Sequence, residues 1–235
     1  MKVNTLSPAA KSLWAKKTSD GNMHWLPLWV HMADSAAVAQ MLWNRWLPDG
    51  VKRAVCAAGM SEDQAEQLFV FLAAAHDIGK ATPVFQAKPS RPLCPALDER
   101  IAESLNLGGL PMRHYSEFKW AGKTPHALAT QVLLEHAGCN RNTAVILGTH
   151  HGKPPGNDLL MSRSIESYGF NYHLENDGKE AWAAIWEELI GYALSQAGYK
   201  LVEDIPNPNI PAQVLLCGLL IMTDWIASNT ELFPY

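Results

Sequence analysis

Apolar residues recur at helical spacing along most of the chain, and this pattern predicts an all-α protein. A first helix is expected from His31 to Trp46. A second is expected to start at Ser61, where Gln64 three residues later completes a capping box. The apolar run from Leu68 to Ala75 continues that helix.

The second half of the chain predicts four more helices. Thr124 and Pro125 form an N-cap and first-turn pair for a helix that runs to about His136. Asn142 is expected to cap the next. The expected ranges of the last three helices are Thr143 to His151, ended by Pro154–Pro155, then Gly178 to Ala197, and Pro211 to Ser228.

Residues 82–123 interrupt this pattern with prolines, glycines and isolated charges. They predict a long irregular connection with one short helix, Leu97 to Leu105. Long loops in compact domains are often functional, so this segment is a candidate substrate rim. Strand-like alternation is scarce. We therefore expect residues 1–235 to form a single domain, a helical bundle with a long irregular loop region.

Composition limits the possible functions without identifying one. The 235 residues are 48% hydrophobic and 18% charged, which is typical of a globular protein. The net charge of −4 gives no basic field for nucleic acid, although bound metals can supply local positive charge. The four cysteines lack C-x-x-C spacing, the N-terminus is polar, and no apolar run suggests a membrane span. We expect a cytoplasmic protein with no membrane partner.

The candidate chemistry lies at predicted helix ends. His76–Asp77 ends one apolar helix, and His150–His151 ends another. Asp224 is the only acid between residues 214 and 226. A buried carboxylate is costly unless it is paired or bound to a metal ion, so Asp224 requires a partner.

The His76–Asp77 pair favours a site with two ions. Successive helical residues point about 100° apart, so the two side chains are not expected to hold one ion from the same side. The carboxylate can instead bridge two ions, with imidazoles as terminal ligands. Imidazole with carboxylate and no thiolate favours iron, manganese, cobalt, nickel or zinc in a reactive site. Gly79 allows a turn after the pair, and Lys80 can contact a phosphate.

These residues together resemble the HD phosphohydrolase superfamily. In detail they are similar to the HD nuclease domain of the CRISPR-associated helicase–nuclease of type I systems. The resemblance covers nearly the whole chain, in the segments Leu13–Lys17, Ala75–Lys80, His150–Gly152 and Thr223–Ser228.

The resemblance implies an all-α HD-domain bundle and two metal ions. One ion would be held by His31, His76, Asp77 and Asp224, and the other by Asp77, His126, His150 and His151. Asp77 and Lys80 would be the catalytic residues, with Lys80 at the scissile phosphate or leaving group. The implied partners are single-stranded DNA, a helicase domain in cis or in trans, and an RNA-guided CRISPR surveillance complex. No phosphate-binding G-x-x-x-x-G-K-[ST] loop of such a helicase occurs in these residues.

Several alternatives remain open from the sequence. His114 competes with His126 as the ligand near the loop, and we favour His126 because it starts an apolar helix. A hydrolase of small nucleotides would use the same ligands. A non-catalytic module with the same fold would bind no metal. Basic residues could follow a DNA backbone, but scattered ones are usually only solvated; these are Lys16, Lys17, Lys80, Arg91 and Lys153.

Overall fold

The computed structural model describes residues 6–18, 23–57, 59–152, 156 and 164–234. In these residues, two short strands and several α-helices follow one another along the chain. The strands are β1 (Trp14–Lys17) and β2 (Trp25–Pro27). The helices are α1 (Pro8–Ser12), α2 (Leu28–Met41), α3 (Asp49–Cys56), α4 (Glu62–Ala75), α5 (Pro83–Gln86), α6 (Pro95–Leu107), α7 (His126–His136), α8 (Arg141–Thr149), α9 (Gly169–His173), α10 (Lys179–Ala197) and α11 (Ile210–Ala227).

Helix α4 forms the centre of the bundle. Every residue from Leu68 to Ala75 is buried, and α2, α10 and α11 pack around this segment. Phe69 contacts Trp43, which lies in a π-helical turn (Leu42–Trp46) that continues α2. The predicted all-α helical bundle is confirmed, with one small antiparallel sheet added.

Helix termini follow the expected capping chemistry with three corrections. The N-cap residue of α7 is Pro125 rather than the predicted Thr124, and no side-chain hydrogen bond caps this helix. Ser61 and Gln64 form the predicted capping box at α4. Helix α8, however, starts earlier than predicted, because the Asn140 side chain accepts from the backbone N–H of Thr143 and occupies the cap position assigned to Asn142. Helix α2 likewise starts at Leu28 rather than His31. The predicted stop at Pro154–Pro155, and Lys153, lie outside the described residues.

The structure is more regular than the sequence predicted in two places. Helix α3 was not predicted, although Pro48 precedes it and Asp49 lies in its first turn, where an acidic side chain is favourable. Between residues 82 and 123 the chain forms α5, the 13-residue α6 and two 3₁₀ turns, Tyr115–Glu117 and Ala121–Lys123. The predicted short helix, Leu97 to Leu105, is thus the middle of a longer one.

Strand β1 of the small sheet is hydrogen-bonded to the segment that follows α4. Strands β1 and β2 pair antiparallel. The backbone N–H of Trp14 donates to the Gln86 side chain, whose amide donates to the carbonyl oxygens of Trp14 and Lys80. These buried hydrogen bonds place β1 and its lysines beside the turn after α4.

Helix α11 is long and apolar enough to cross a membrane by length and composition, with a mean hydropathy of 1.7. This finding is weak, because core helices of globular proteins meet the same criteria. In this protein α11 packs against α2, α3, α4 and α8 and carries Asp224 to the interior end of the bundle.

A glycine sets the distance between α7 and the turn that follows α4. An added Cβ at Gly79 would lie 2.0 Å from the backbone oxygen of His126 and 2.5 Å from the backbone nitrogen of Thr130. Both obstacles are backbone atoms, so they cannot move without shifting α7. Gly79 is therefore required for close packing here, a role beyond the turn that the sequence suggested.

We predict that Gly79→Ala destabilises the protein by about 1–3 kcal/mol or more, because the added methyl group overpacks the contact between the turn and α7. Urea unfolding followed by circular dichroism measures the change. The control is Gly218→Ala on α11, where an added Cβ meets nothing within 4 Å. That variant should be neutral or slightly stabilised, since alanine favours a helix. Equal stability of the Gly79 variant and wild type would contradict the packing argument.

Candidate metal centre

Five helices and the turns that follow α4 and α8 bring the predicted ligands together. His76 and His150 are the C-cap residues of α4 and α8, and His126 begins α7. His31 lies one turn into α2. Asp77, His151 and Asp224 complete the set of seven.

The first group contains two imidazoles and two carboxylates. The Nε2 atom of His31 lies 3.2 Å from Asp77 Oδ2 and 3.5 Å from Asp224 Oδ1. The Nε2 atom of His76 lies 3.4 Å from each of the same two oxygens. The potential ligand atoms of all four residues lie within 4.8 Å of one another. This spacing suits a single ion surrounded by four ligands.

His76 and Asp77 reach the same group, contrary to the expectation from helical geometry. The backbone of Asp77 has φ −106° and ψ 9°, outside the helical values, and a 3₁₀ turn (Ile78–Lys80) follows it. The rotation of about 100° per residue applies only within a helix. Because Asp77 lies just past the helix end, its side chain converges with that of His76.

The second group consists of three histidines. The Nε2 atoms of His126 and His151 are 2.9 Å apart, and the rings of His150 and His151 have centroids 4.2 Å apart. The potential ligand atoms of these three residues also lie within 4.8 Å of one another. Neighbouring imidazoles that converge in this way are suited to a shared ion.

Asp77 lies between the two groups. Its Oδ2 faces His31 and His76, while its Oδ1 lies 3.4 Å from His126 Nε2 and 3.8 Å from His150 Nε2. The side chain is only 2% exposed. One buried carboxylate thus presents a different oxygen to each group, which is the arrangement of a bridging ligand.

Backbone carbonyls orient two of the imidazoles. His76 Nδ1 lies 2.8 Å from the carbonyl oxygen of Ala73, and His150 Nδ1 lies 2.6 Å from that of Leu147. A carbonyl only accepts, so each Nδ1 carries a proton that it donates. Each Nε2 then points its lone pair into the site when the ring is neutral. Such outer hydrogen bonds are typical of metal-binding histidines.

Charges inside the first group interact strongly. Burial opposes ionisation of His76, but Asp77 and Asp224 outweigh it and raise the pKa of His76 to about 10. Burial likewise opposes ionisation of Asp77, yet Lys80, His76 and His31 hold the pKa of this carboxyl well below its usual value. The pKa of Asp224 is also lowered, against burial, by His31 and His76.

In the second group, the pKa values of two histidines are lowered rather than raised. Burial lowers the pKa of His126 well below its usual value, and Lys80 and the neighbouring histidines add to this effect against the attraction of Asp77. Burial and the nearby His76 lower the pKa of His150 to about 4. Both rings are therefore neutral near pH 7, the form in which an imidazole binds a metal ion.

Several buried polar atoms in the site have no hydrogen-bond partner and are available to bind metal ions. Nε2 of His31, His76 and His150 and Oδ1 of Asp77 are buried and make no hydrogen bond within the described ranges. Buried polar atoms are normally paired, and several orphans at one place point to an absent ligand. Nitrogen and carboxylate donors with no thiolate suit divalent transition metals. The donor set therefore fits the implied ions.

Lys80 lies inside the site, whereas His114 lies outside it. Lys80 is buried, and its Nζ lies 2.6 Å from Asp77 Oδ2, inside the site. His114 lies outside both groups and caps the turn Tyr115–Glu117, where its Nδ1 contacts Ser116. Of the two candidate histidines near the loop, only His126 joins the cluster.

Sequence reasoning missed one residue that positions the site. Thr130 on α7 is fully buried, and its Oγ1 lies 2.8 Å from the carbonyl oxygen of His76 and 3.0 Å from that of His126. The same oxygen accepts from the N–H of Gly79. Thr130 therefore links α7 to the end of α4. A threonine inside an apolar helix offered no signal of this role in the sequence.

Comparisons with known proteins identify the family of this chain. Residues 14–233 match the family described as "Cas3, HD domain". A curated relative, "CRISPR-associated nuclease/helicase Cas3" of Streptococcus thermophilus, is 37% identical over 231 residues, which cover 94% of this chain and 25% of the relative. The "CRISPR-associated endonuclease/helicase Cas3" of Thermus thermophilus is 29% identical and is covered to 23%. The chain thus spans about a quarter of the curated relatives it matches.

Solved structures show the same fold. One titled "Crystal structure of CRISPR-associated protein" has a TM-score of 0.76 and 29% identity, covering 98% of this chain and 25% of that one. The Thermus thermophilus cas3 HD domain, determined in the presence of Ni²⁺, has a TM-score of 0.61 and 25% identity, covering 97% of this chain and 81% of that one. Because the family match extends over nearly all of its residues, this chain belongs to the Cas3 HD domain family.

Proposed function

We propose that this domain is a metal-dependent nuclease that hydrolyses phosphodiester bonds of single-stranded DNA in type I CRISPR interference. The observation that carries the proposal is the position of Asp77, whose two oxygens face separate groups of ligand atoms. Names of the relatives support the reaction class, since both are described as nuclease or endonuclease and helicase.

The proposed ligands divide as the two groups do. His31, His76, Asp77 and Asp224 would hold one ion, and Asp77, His126, His150 and His151 the other. Two divalent ions held by these residues would lower the pKa of a water ligand towards neutrality and would stabilise negative charge on the phosphate. Their identity within the series iron, manganese, nickel, cobalt and zinc is left open by the donor set, and one relative was crystallised with Ni²⁺.

The chain's own residues prepare the site for a phosphodiester. Carbonyl oxygens of Ala73 and Leu147 fix two imidazole rings, so that little reorganisation is needed when a substrate binds. The Lys80 ammonium, now paired with Asp77, can release part of that contact and approach a phosphate oxygen or the leaving group. Low exposure of these groups strengthens each electrostatic interaction.

Partners are part of the same proposal. The relatives carry a helicase in the same protein, and the chain covers about a quarter of their length. We propose that a helicase, in cis or in trans, and an RNA-guided CRISPR surveillance complex deliver the single strand to this domain. A structure with the same fold is titled "CRISPR RNA-guided surveillance complex, pre-nicking".

A hydrolase of small nucleotides is the alternative, because its chemistry needs the same ligands. Turnover of single-stranded oligodeoxynucleotides and of cyclic dinucleotides by the same metal-loaded protein separates the two. Faster turnover of the cyclic dinucleotide would overturn the proposal.

We predict that Asp77→Asn lowers single-stranded DNA hydrolysis by more than about 100-fold, because it weakens the only carboxylate shared by both groups. Release of acid-soluble fragments with Mn²⁺ measures the rate. Asp63→Asn at the exposed start of α4 is the matched control and should retain wild-type activity. Undiminished activity in the Asp77 variant would contradict the proposed site.

We predict that the two ions are lost separately in two further variants. His31→Ala removes a ligand of the first group and should release one ion per chain, whereas His151→Ala should release the ion of the second group. Inductively coupled plasma mass spectrometry gives the metal content, and thermal unfolding shows whether each variant is folded. A wild-type protein that retains only one ion at saturation would contradict the two-ion assignment.

A further inference from the structure

A groove lies beside the metal centre, and no residue proposed for metal binding or catalysis is among its lining residues. It has a volume of about 490 Å³ and is bordered by β1, by the segment after α5, and by the two 3₁₀ turns. At one end it is lined by Pro125, the residue before the proposed ligand His126. Its other lining residues include Trp14, Lys17, Lys88, Arg91 and Tyr115.

A chain of aromatic contacts joins the groove to the metal centre. The Lys88 ammonium lies 4.4 Å from the centre of the Phe85 ring, and that ring lies 5.4 Å from the His126 ring. Trp14 packs against Phe85 with centroids 4.6 Å apart. The Phe85 ring therefore contacts both a groove cation and a proposed metal ligand.

The groove contains more cationic side chains than carboxylates that pair with them. Lys17 is paired with Asp98 at 2.7 Å. Lys88 and Arg91, in contrast, form no ion pair with a carboxylate within the described part of the chain. This local excess of positive charge occurs in a protein whose net charge is −4.

The cations also influence one another. Burial lowers the pKa of Lys88, and Lys80 and Arg91 lower it further. Burial and Lys80 lower the pKa of Lys16, while Asp224 and Asp77 raise it. The positive groups thus continue from the groove into the metal site. Mutual repulsion of this kind is relieved when a polyanion binds.

We propose that Lys88 and Arg91 bind the phosphate backbone of a single strand of DNA and guide it past Phe85 to the metal centre. This inference rests on the proposed nuclease function for the identity of the polymer. The groove supports it by its position at His126, its unpaired cations and its aromatic wall. A cationic groove that follows the backbone beside aromatic side chains is typical of single-strand binding.

Double-stranded DNA is not expected to use this path. Lys88 and Arg91 lie in the segment that follows α5, and the two 3₁₀ turns contribute Tyr115, Ala121 and Gly122 to the lining. A volume of about 490 Å³ is in the range of a site for a small ligand, so the groove accommodates a short part of one strand rather than a duplex.

The experiment compares wild type with the double variant Lys88→Gln and Arg91→Gln. Fluorescence anisotropy of a labelled oligodeoxythymidylate, with the protein free of metal, gives the affinity over a range of salt concentrations. We expect the variant to bind at least about fivefold more weakly, uniformly across sequences. The slope of log affinity against log salt should become shallower by about 0.7 for each phosphate that the variant no longer neutralises. With metal, the defect should appear in KM for DNA rather than in kcat.

The control carries the same change of charge at two exposed residues that do not line the groove. Arg141 begins α8, far along that helix from His150, and Lys200 follows Tyr199, which packs on Phe71. The variant Arg141→Gln and Lys200→Gln should keep the wild-type affinity and salt slope. An equally weakened affinity in this control, or an unchanged slope in the groove variant, would overturn the proposal.

The binding assay separates this inference from the nuclease proposal because it requires no metal and no cleavage. If the protein cleaves no DNA but the groove variant binds DNA more weakly than the control, the groove assignment stands and the nuclease function fails. If the protein cleaves DNA and the groove variant binds and cleaves like wild type, only the groove assignment fails. Stronger binding of single-stranded RNA than of DNA would overturn the choice of DNA as the polymer.

Discussion

The buried carboxylate of Asp77 is the constraint on which the site depends. An ionised carboxylate that is 2% exposed is stable only when several groups compensate its charge. Three parts of the fold supply these groups: α2 through His31, the end of α4 through His76, and the turn after α4 through Lys80. The bundle brings helix ends that are distant in sequence to one charge. The charge of Asp77 is therefore compensated by groups that helix packing brings together.

The protein uses the same local device twice. His76 and His150 each cap the C-terminus of an apolar helix, and each donates Nδ1–H to the carbonyl oxygen three residues earlier. Those carbonyls belong to the last turn, where backbone oxygens lack helical partners. One hydrogen bond thus satisfies a helix terminus and fixes the ring that faces the site. This explains why these two imidazoles occur at helix ends rather than in helix interiors.

Much of the fold and the membership of the cluster could be predicted from the sequence, since both depend on local patterns. The capping box at Ser61 and the apolar run of α4 are local, and the structure has both. The convergence of His76 with Asp77 was predicted wrongly, because it depends on the backbone leaving the helix at one residue. The role of Thr130 depends on contacts across more than fifty residues, and nothing near it in the sequence records them. The ligand sets themselves came from a family resemblance and stay a proposal.

The net charge of the chain is a poor guide to what its site attracts. The charge of −4 is a sum over the whole surface, and at physiological salt charges separated by more than about 8–10 Å are largely screened from one another. A substrate therefore responds to the groups within that distance. Near Asp77 these include Lys80 and Lys16, and any bound ions would add to them. An acidic domain can thus present a locally cationic path to a polyanion. A net charge of −4 therefore does not exclude binding of a nucleic acid.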